Sequence, residues 1–186
     1  MNRLLDVVIA LVLIVSCGIP MLVIAALIKL TSRGPALYWS DRVGKDNVIF
    51  KMPKFRTMRI DTPPVATHLL ENPGAYLTRV GSYLRKFSLD ELPQLWSIVK
   101  GDMTFVGPRP ALYNQEDLIR LRTGKGIQSL TPGVTGWAQI NGRDTIPIPL
   151  KVELDDYYLR NKSLLFDMKI LWMTLIKVLR AEDVKH

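Results

Sequence analysis

The sequence predicts an α+β fold: an N-terminal membrane helix, further amphipathic helices suited to a membrane interface, and a small α/β globular part. Three observations predict it. Leu4 to Leu30 is predominantly apolar, with Asp6 and Lys29 its only charges. Tyr38-Trp39 and Val48-Ile49-Phe50 flank a Gly44-Lys45-Asp46-Asn47 turn, the pattern of a strand pair. Apolar residues then recur at helical spacing, most densely between Ser163 and Arg180. A chain of 186 residues is long enough for one core, so residues 1–30 are expected in the membrane and 31–186 in a single further unit.

As a straight helix, Leu4 to Leu30 would run on the order of 40 Å, enough to cross a bilayer. A signal peptide is the competing reading, but the basic segment before it is minimal and no small-residue cleavage site follows. Pro20, after Ser16, Cys17 and Gly18, removes an intrahelical hydrogen bond and predicts a bend. Arg3 stands on one flank and Lys29 and Arg33 on the other, so charge does not assign the ends to opposite sides. Spanning and re-entrant readings both stay open on these residues.

Cys17 is the single cysteine, so no intrachain disulfide is possible, and within the apolar run it reads as a packing residue. His68 and His186 are isolated and supply no metal-binding spacing. The net charge of +8 suits anionic lipid headgroups or anionic substrates. Nucleic acid ranks last, because the basic residues fall among prolines and a hydrophobic anchor and match no DNA- or RNA-binding motif.

Between the hairpin and the C-terminus the elements follow in order. If Lys51 to Arg59 is extended, Lys54 and Arg56 share one face, either as a solvated basic edge or as a contact for phosphate. Asp61 to Pro73 reads as a loop. Tyr76, Leu77, Val80, Tyr83 and Leu84 fall at helical spacing and present Arg79, Arg85 and Lys86 on the other side. Asp102 to Val106 reads as a short strand, and Gly107-Pro108-Arg109-Pro110 is a stiff turn holding one guanidinium. Arg109 either grips phosphate or pairs with Asp102 or Asp90.

Tyr113 to Arg122 reads as an exposed helix, Pro132 to Gly136 as a loop, Trp137 to Ile140 as a strand, and Asn141-Gly142 as a turn. Leu150 to Arg160 and Ser163 to Arg180 are expected helices. In the second, Asp167, Thr174, Lys177 and Ala181 form one polar stripe. The wide apolar face around Trp172 suits a helix lying in a membrane interface, with a core helix as the alternative.

The chemistry is expected at Ser88-Leu89-Asp90-Glu91-Leu92-Pro93-Gln94. Ser88-x-x-Glu91 has the form of a capping box. Pro93 opposes that reading, because a helix begun at Ser88 would place the proline beyond its first turn. A start nearer Asp90 to Leu92 puts both carboxylates at the positive end of a helix that closes at Lys100-Gly101. Arg85 and Lys86 precede the acids and Arg109 follows them, so anion-binding groups flank an acid pair.

These motifs, with Lys54-Phe55-Arg56-Thr57-Met58, Lys100-Gly101-Asp102-Met103, Pro132-Gly133-Val134-Thr135-Gly136-Trp137-Ala138-Gln139 and Asn141-Gly142-Arg143, closely resemble the bacterial sugar transferases, the monotopic phosphoglycosyl transferases. The resemblance implies transfer of a sugar-1-phosphate from a UDP-sugar to polyprenol (undecaprenyl) phosphate, releasing UMP and initiating glycoconjugate assembly. It implies Asp90 as the nucleophile that forms a phosphosugar-aspartyl intermediate, and Glu91 as a group that orients Mg²⁺ or assists the lipid phosphate. Asp90 and Glu91 would hold the Mg²⁺. Arg85 and Arg109 would bind phosphate, Lys54 and Arg56 would guide the polyprenol phosphate, and Gln139 and Arg143 would contact the nucleotide.

It also implies a re-entrant helix-break-helix in one leaflet of the bacterial inner membrane, with the catalytic part, 31–186, on the cytoplasmic face. Ile19 departs from the serine often found before that proline in the family. The alternative to an enzyme is a basic membrane-surface protein that binds anionic lipid and uses the acid pair only as a helix cap.

Overall fold

The computed structural model describes residues 2–63, 72–142 and 146–180. Arg143 and most of the loop expected from Asp61 to Pro73 lie outside the described residues. The architecture is mixed helix and sheet, a long apolar N-terminal helix against a small globular part.

Helix α1 (Arg3–Thr31) starts at an Asn2 cap and runs uninterrupted through Pro20. The expected break is therefore absent as an interruption: proline removes one intrahelical bond, and helical geometry continues on both sides. One stripe of α1 is buried, Asp6, Ala10, Ile24 and Ile28, while Val12, Val15, Ile19, Leu22 and Leu30 on other faces are exposed. That stripe meets two clusters. Ala10 packs with Phe50, Met52, Leu95, Ile98 and Met103, and Ile24 and Ile28 pack with Phe55 and Leu84.

The expected hairpin is present: β1 (Leu37–Val43) pairs antiparallel with β2 (Ile49–Phe55), with Tyr38 opposite Lys54. Helix α2 (Arg79–Lys86) begins at Thr78, whose Oγ1 accepts from Gly81 N, and Tyr76 lies before it in a 3-10 turn. Ser88 then takes a left-handed conformation with φ 54°, and Leu89–Gln94 forms a 3-10 helix. Only after it does α3 (Leu95–Lys100) follow, closed by Gly101. Both sequence readings of the helix start are thus corrected. Ser88 makes no side-chain cap, and Pro93 sits in tighter 3-10 winding that ends where the α-helix begins.

Strand β3 (Thr104–Val106) is as expected, but Gly133–Thr135, read as loop, is β4 and pairs parallel with it. Trp137–Ile140, read as strand, is the short helix α5. A three-residue strand is too brief to show alternation, and Trp137 and Ile140 are as compatible with one helical turn as with a strand. The helix expected from Tyr113 is α4 (Glu116–Gly124), and it buries Leu118 and Arg122 rather than lying fully exposed.

Helices α6 (Ile148–Asn161) and α7 (Leu164–Arg180) close the fold. Val106, Leu118, Ile127, Ile140, Val152, Tyr158 and Ile170 form its main core. The polar stripe of α7 turns inward: Asp167 accepts from the Tyr158 hydroxyl at 2.7 Å, and Thr174 Oγ1 lies 2.7 Å from Thr135 Oγ1. Burial and the Asp167 bond push the Tyr158 hydroxyl well above the usual phenol range, so it stays a neutral donor. Leu165, Met168, Trp172 and Leu175 are left on the outer face.

Candidate active site

The acid pair is positioned by a sharp change of direction. Ser88 N donates to Arg85 O and Glu91 N to Ser88 O, so the chain leaves α2 and re-enters helical winding within three residues. A serine at φ 54° costs of order 1 kcal/mol and persists only where surroundings impose it. The result places Leu89–Gln94 against β2 and brings Glu91 to Lys54.

Lys54 Nζ lies 2.8 Å from Glu91 Oε1, and both Nη atoms of Arg109 reach the same oxygen at 3.5 Å. One carboxylate oxygen therefore faces two cations. Asp90, 8% exposed, is close enough for its charge to act on Lys54. Burial lowers the Lys54 pKa from the ordinary range; Glu91 and Asp90 oppose that shift, while Arg109 and Arg42 add to it. Lys54, Asp90, Glu91 and Arg109 thus form one electrostatic cluster, in which Arg109 pairs with Glu91.

Arg85 is held on Thr57, whose Oγ1 accepts from Arg85 Nε at 2.9 Å. Gly81 lets α2 approach this segment: a Cβ there would stand 2.0 Å from Thr57 O. Arg56 does not join the cluster. Strand β2 ends at Phe55, so the expected alternation stops and Arg56 turns to the end of α1, donating to Arg33 O, Ser32 O and Ser32 Oγ. Gln139 sits in α5 with Nε2 on Val134 O at 3.1 Å, while its buried Oε1 has no hydrogen-bond partner among the described residues. Arg143 cannot be placed among them.

The Arg109 turn rests on β4. Gly107 N donates to Thr135 O at 2.9 Å, and a Cβ on Gly133 would come within 2.1 Å of Gly107 N. Only glycine permits the two chains to cross so closely. This backbone contact explains why a glycine-rich run that reads as loop serves as a strand under the site.

The whole of residues 1–181 matches the model of a protein family described as bacterial sugar transferase. The chain belongs to the bacterial sugar transferase family. A Bacillus subtilis (strain 168) member named "uncharacterized sugar transferase EpsL" is 39% identical across 100% of this chain and 91% of its own length. A UDP-glucose:undecaprenyl-phosphate glucose-1-phosphate transferase of Escherichia coli (strain K12) is 38% identical over 95% of this chain, which spans 40% of that protein. A UDP-N-acetylgalactosamine-undecaprenyl-phosphate N-acetylgalactosaminephosphotransferase of Aeromonas hydrophila is 37% identical over 86% of this chain and 39% of its own length.

Several residues of this sugar transferase that support the site carry no motif. Arg122 and Asp155 form a buried ion pair, and Asp6 of α1 accepts from Thr104 Oγ1 at 2.8 Å and from Phe105 N. A signal existed for Asp155, which falls between Val152 and Tyr158 at the phase of the buried face of α6.

Proposed function

We propose that this protein transfers a sugar-1-phosphate from a UDP-sugar to polyprenol (undecaprenyl) phosphate, releasing UMP. The observation that carries the reading is Glu91 Oε1 held between Lys54 and Arg109 beside Asp90, in a chain whose relatives are named for this reaction. Cations around an acid pair match a substrate whose reacting group is an anionic diphosphate.

Asp90 is the nucleophile. Its carboxylate oxygen bonds to the phosphorus that carries the sugar, the bond to the UMP oxygen breaks, and UMP leaves with that electron pair. An oxygen of the polyprenol phosphate then attacks the same phosphorus and frees Asp90. Glu91, fixed by two cations, orients the site, while Arg109 and Arg85 hold phosphate oxygens and Lys54 fixes Glu91 and guides the acceptor. Gln139 and Arg143 are assigned to the nucleotide by family resemblance.

The donor set fits Mg²⁺. Among the described residues no group of three or more acidic, histidine or cysteine side chains stands ready to hold a metal. Asp90 and Glu91 would supply carboxylate oxygens, leaving the rest to diphosphate and water, as this ion favours. When bound, Mg²⁺ supplies charge neutralisation at the diphosphate.

The protein sits in one leaflet of the inner membrane, with residues 1–30 embedded and 31–186 catalytic at the cytoplasmic face. What supports a re-entrant rather than spanning helix is that both ends of α1 are bonded to the same globular part. Arg3 Nη2 donates to Val99 O at 2.8 Å at one end, and Ser32 and Arg33 accept from Arg56 just past the other. The outward apolar face of α7 supports contact with the same leaflet.

The test is a panel of UDP-sugars with Mg²⁺ and undecaprenyl phosphate, with the nucleotide product identified. UMP is expected from at least one donor; UDP would indicate direct glycosyl transfer, and no product from any donor would favour a lipid-binding surface protein.

A further inference from the structure

Gly107-Pro108-Arg109-Pro110 presents the guanidinium that faces Glu91, yet its two prolines have no N–H to donate. Neighbouring elements must hold this turn chiefly through its carbonyls. They do so at four consecutive positions. Pro108 O accepts from Gly133 N and Ala111 O from Val43 N, each at 2.9 Å. Between them, Arg122 Nη1 donates to Arg109 O at 2.8 Å and Arg42 Nη1 to Pro110 O at 3.2 Å.

Arg122 is itself held from behind. Its Nε and Nη2 donate to Asp155 Oδ2 at 3.0 and 2.6 Å, and Asp155 is 1% exposed. Arg42 Nε is fixed on Ser40 Oγ at 3.0 Å.

We propose that Arg122, oriented by Asp155, is a positioning residue for the transfer reaction: it clamps the backbone of Arg109 so that the Arg109 side chain stays on Glu91 and the donor phosphates. Arg42 does the same one residue later. The inference rests on the role given to Arg109 above. A buried ion pair adds little net stability over apolar packing, so the pair is better accounted for by direction than by energy. A guanidinium suits the task because its planar fork reaches a carboxylate and a carbonyl at once, which a lysine ammonium does not reproduce.

A double-mutant cycle tests this on the full chain in lipid nanodiscs. UMP release is measured with the donor that the panel identifies, and thermal melts are recorded in parallel. Arg122→Met is expected to lower kcat/KM roughly 10- to 100-fold in the parent. In an Arg109→Lys background the same change should cost less than about 3-fold, because the group it positions is already altered. An equal loss in both backgrounds would overturn the proposal, since a residue that only holds the fold acts regardless of Arg109. Should Arg122→Met not fold, Asp155→Asn, which keeps the shape of the pair and removes its charge, is read by the same criterion. Full parental activity in Arg109→Lys would instead defeat the role of Arg109 and this inference with it, whereas silence across the donor panel defeats the reaction itself.

Discussion

Lys54 Nζ and Glu91 Oε1 stand 2.8 Å apart with side chains only 15% and 10% exposed, so the lysine of β2 fixes the second acid of the site in a largely dry setting. Burial places the Lys54 pKa below the 10.5 of an unperturbed lysine. Lys54 therefore loses its proton at a lower pH than in the unfolded chain, and the pair with Glu91 goes with it. Activity is expected to fall along an alkaline limb below pH 10.5, and Lys54→Arg should move that limb upward because guanidinium stays charged. Stability runs the other way. Between the folded pKa and 10.5 the unfolded state binds more protons, so the contribution of Lys54 to stability rises with pH. A pH–rate profile of both proteins and paired melts against Lys54→Met check the two signs; an unmoved limb in Lys54→Arg would remove Lys54 from the pH dependence.

Covalent transfer through Asp90 predicts that donor alone yields UMP in an amount tied to enzyme concentration, before any lipid acceptor is added. Intact mass should show one sugar phosphate added to the chain. Asp90→Asn is expected to abolish both the burst and the adduct, while Glu91→Gln weakens the burst by loosening Lys54 and Arg109. An adduct that survives Asp90→Asn places the nucleophile elsewhere.

Arg56 and Lys54 are two residues apart in sequence and are expected to fail differently. Arg56 ties Ser32 and Arg33 to the end of β2, so Arg56→Met removes charge-assisted bonds at the junction with α1. A loss of about 2 kcal/mol in stability is expected, with the polyprenol phosphate KM of the folded fraction unchanged. A raised KM at full stability would return Arg56 to the site.

Much of this division was legible in the sequence and some was not. The hairpin, β3 and the two C-terminal helices each carry a turn or a sustained periodicity, and the structure has them where the pattern put them. The start of α3 was misread because Ser88 and Pro93 obey rules for α-helices, while the chain there is wound as a 3-10 helix. Strand β4 was missed because Gly133 and Gly136 read as loop, although their lack of a Cβ is what lets β4 pass under Gly107. Arg109 could be placed near the acids from its motif neighbourhood, and Lys54 through the family resemblance. Arg122 and Arg42 could not, since what they hold is a carbonyl, and a carbonyl leaves no mark on sequence.

The outer face of α7 presents Leu165, Met168, Trp172 and Leu175, while its polar groups bond inward to Tyr158 and Thr135. Replacing Leu165 and Trp172 by aspartate puts charge on this exposed face without touching the core. Sedimentation with anionic vesicles should fall by roughly an order of magnitude for each large apolar side chain lost, on a burial of about 1.5–3 kcal/mol apiece. If α1 is left to hold the protein in the membrane, the effect appears instead as reduced quenching of the remaining tryptophans by brominated lipid. Unchanged binding and quenching would mean that this face meets something other than lipid.

The proposed re-entrant topology rests on where the two ends of α1 are fastened. Twenty-nine helical residues extend about 43 Å, enough to cross a bilayer. Yet Arg3 is bonded to the end of α3, Asp6 to β3, and the Ser32-Arg33 segment beyond α1 to Arg56 after β2. For a spanning helix, one of these contacts would have to form on the far side of the membrane or within its apolar core, where the groups on α3 and β3 could not follow without the globular part. Cysteines placed singly at Asn2 and Thr31 in a Cys17→Ser background are therefore expected to react with a membrane-impermeant maleimide from the cytoplasmic face, and from that face only. Labelling of Asn2 and Thr31 from opposite faces would sink the re-entrant arrangement and require the Arg3 and Asp6 contacts to break on insertion.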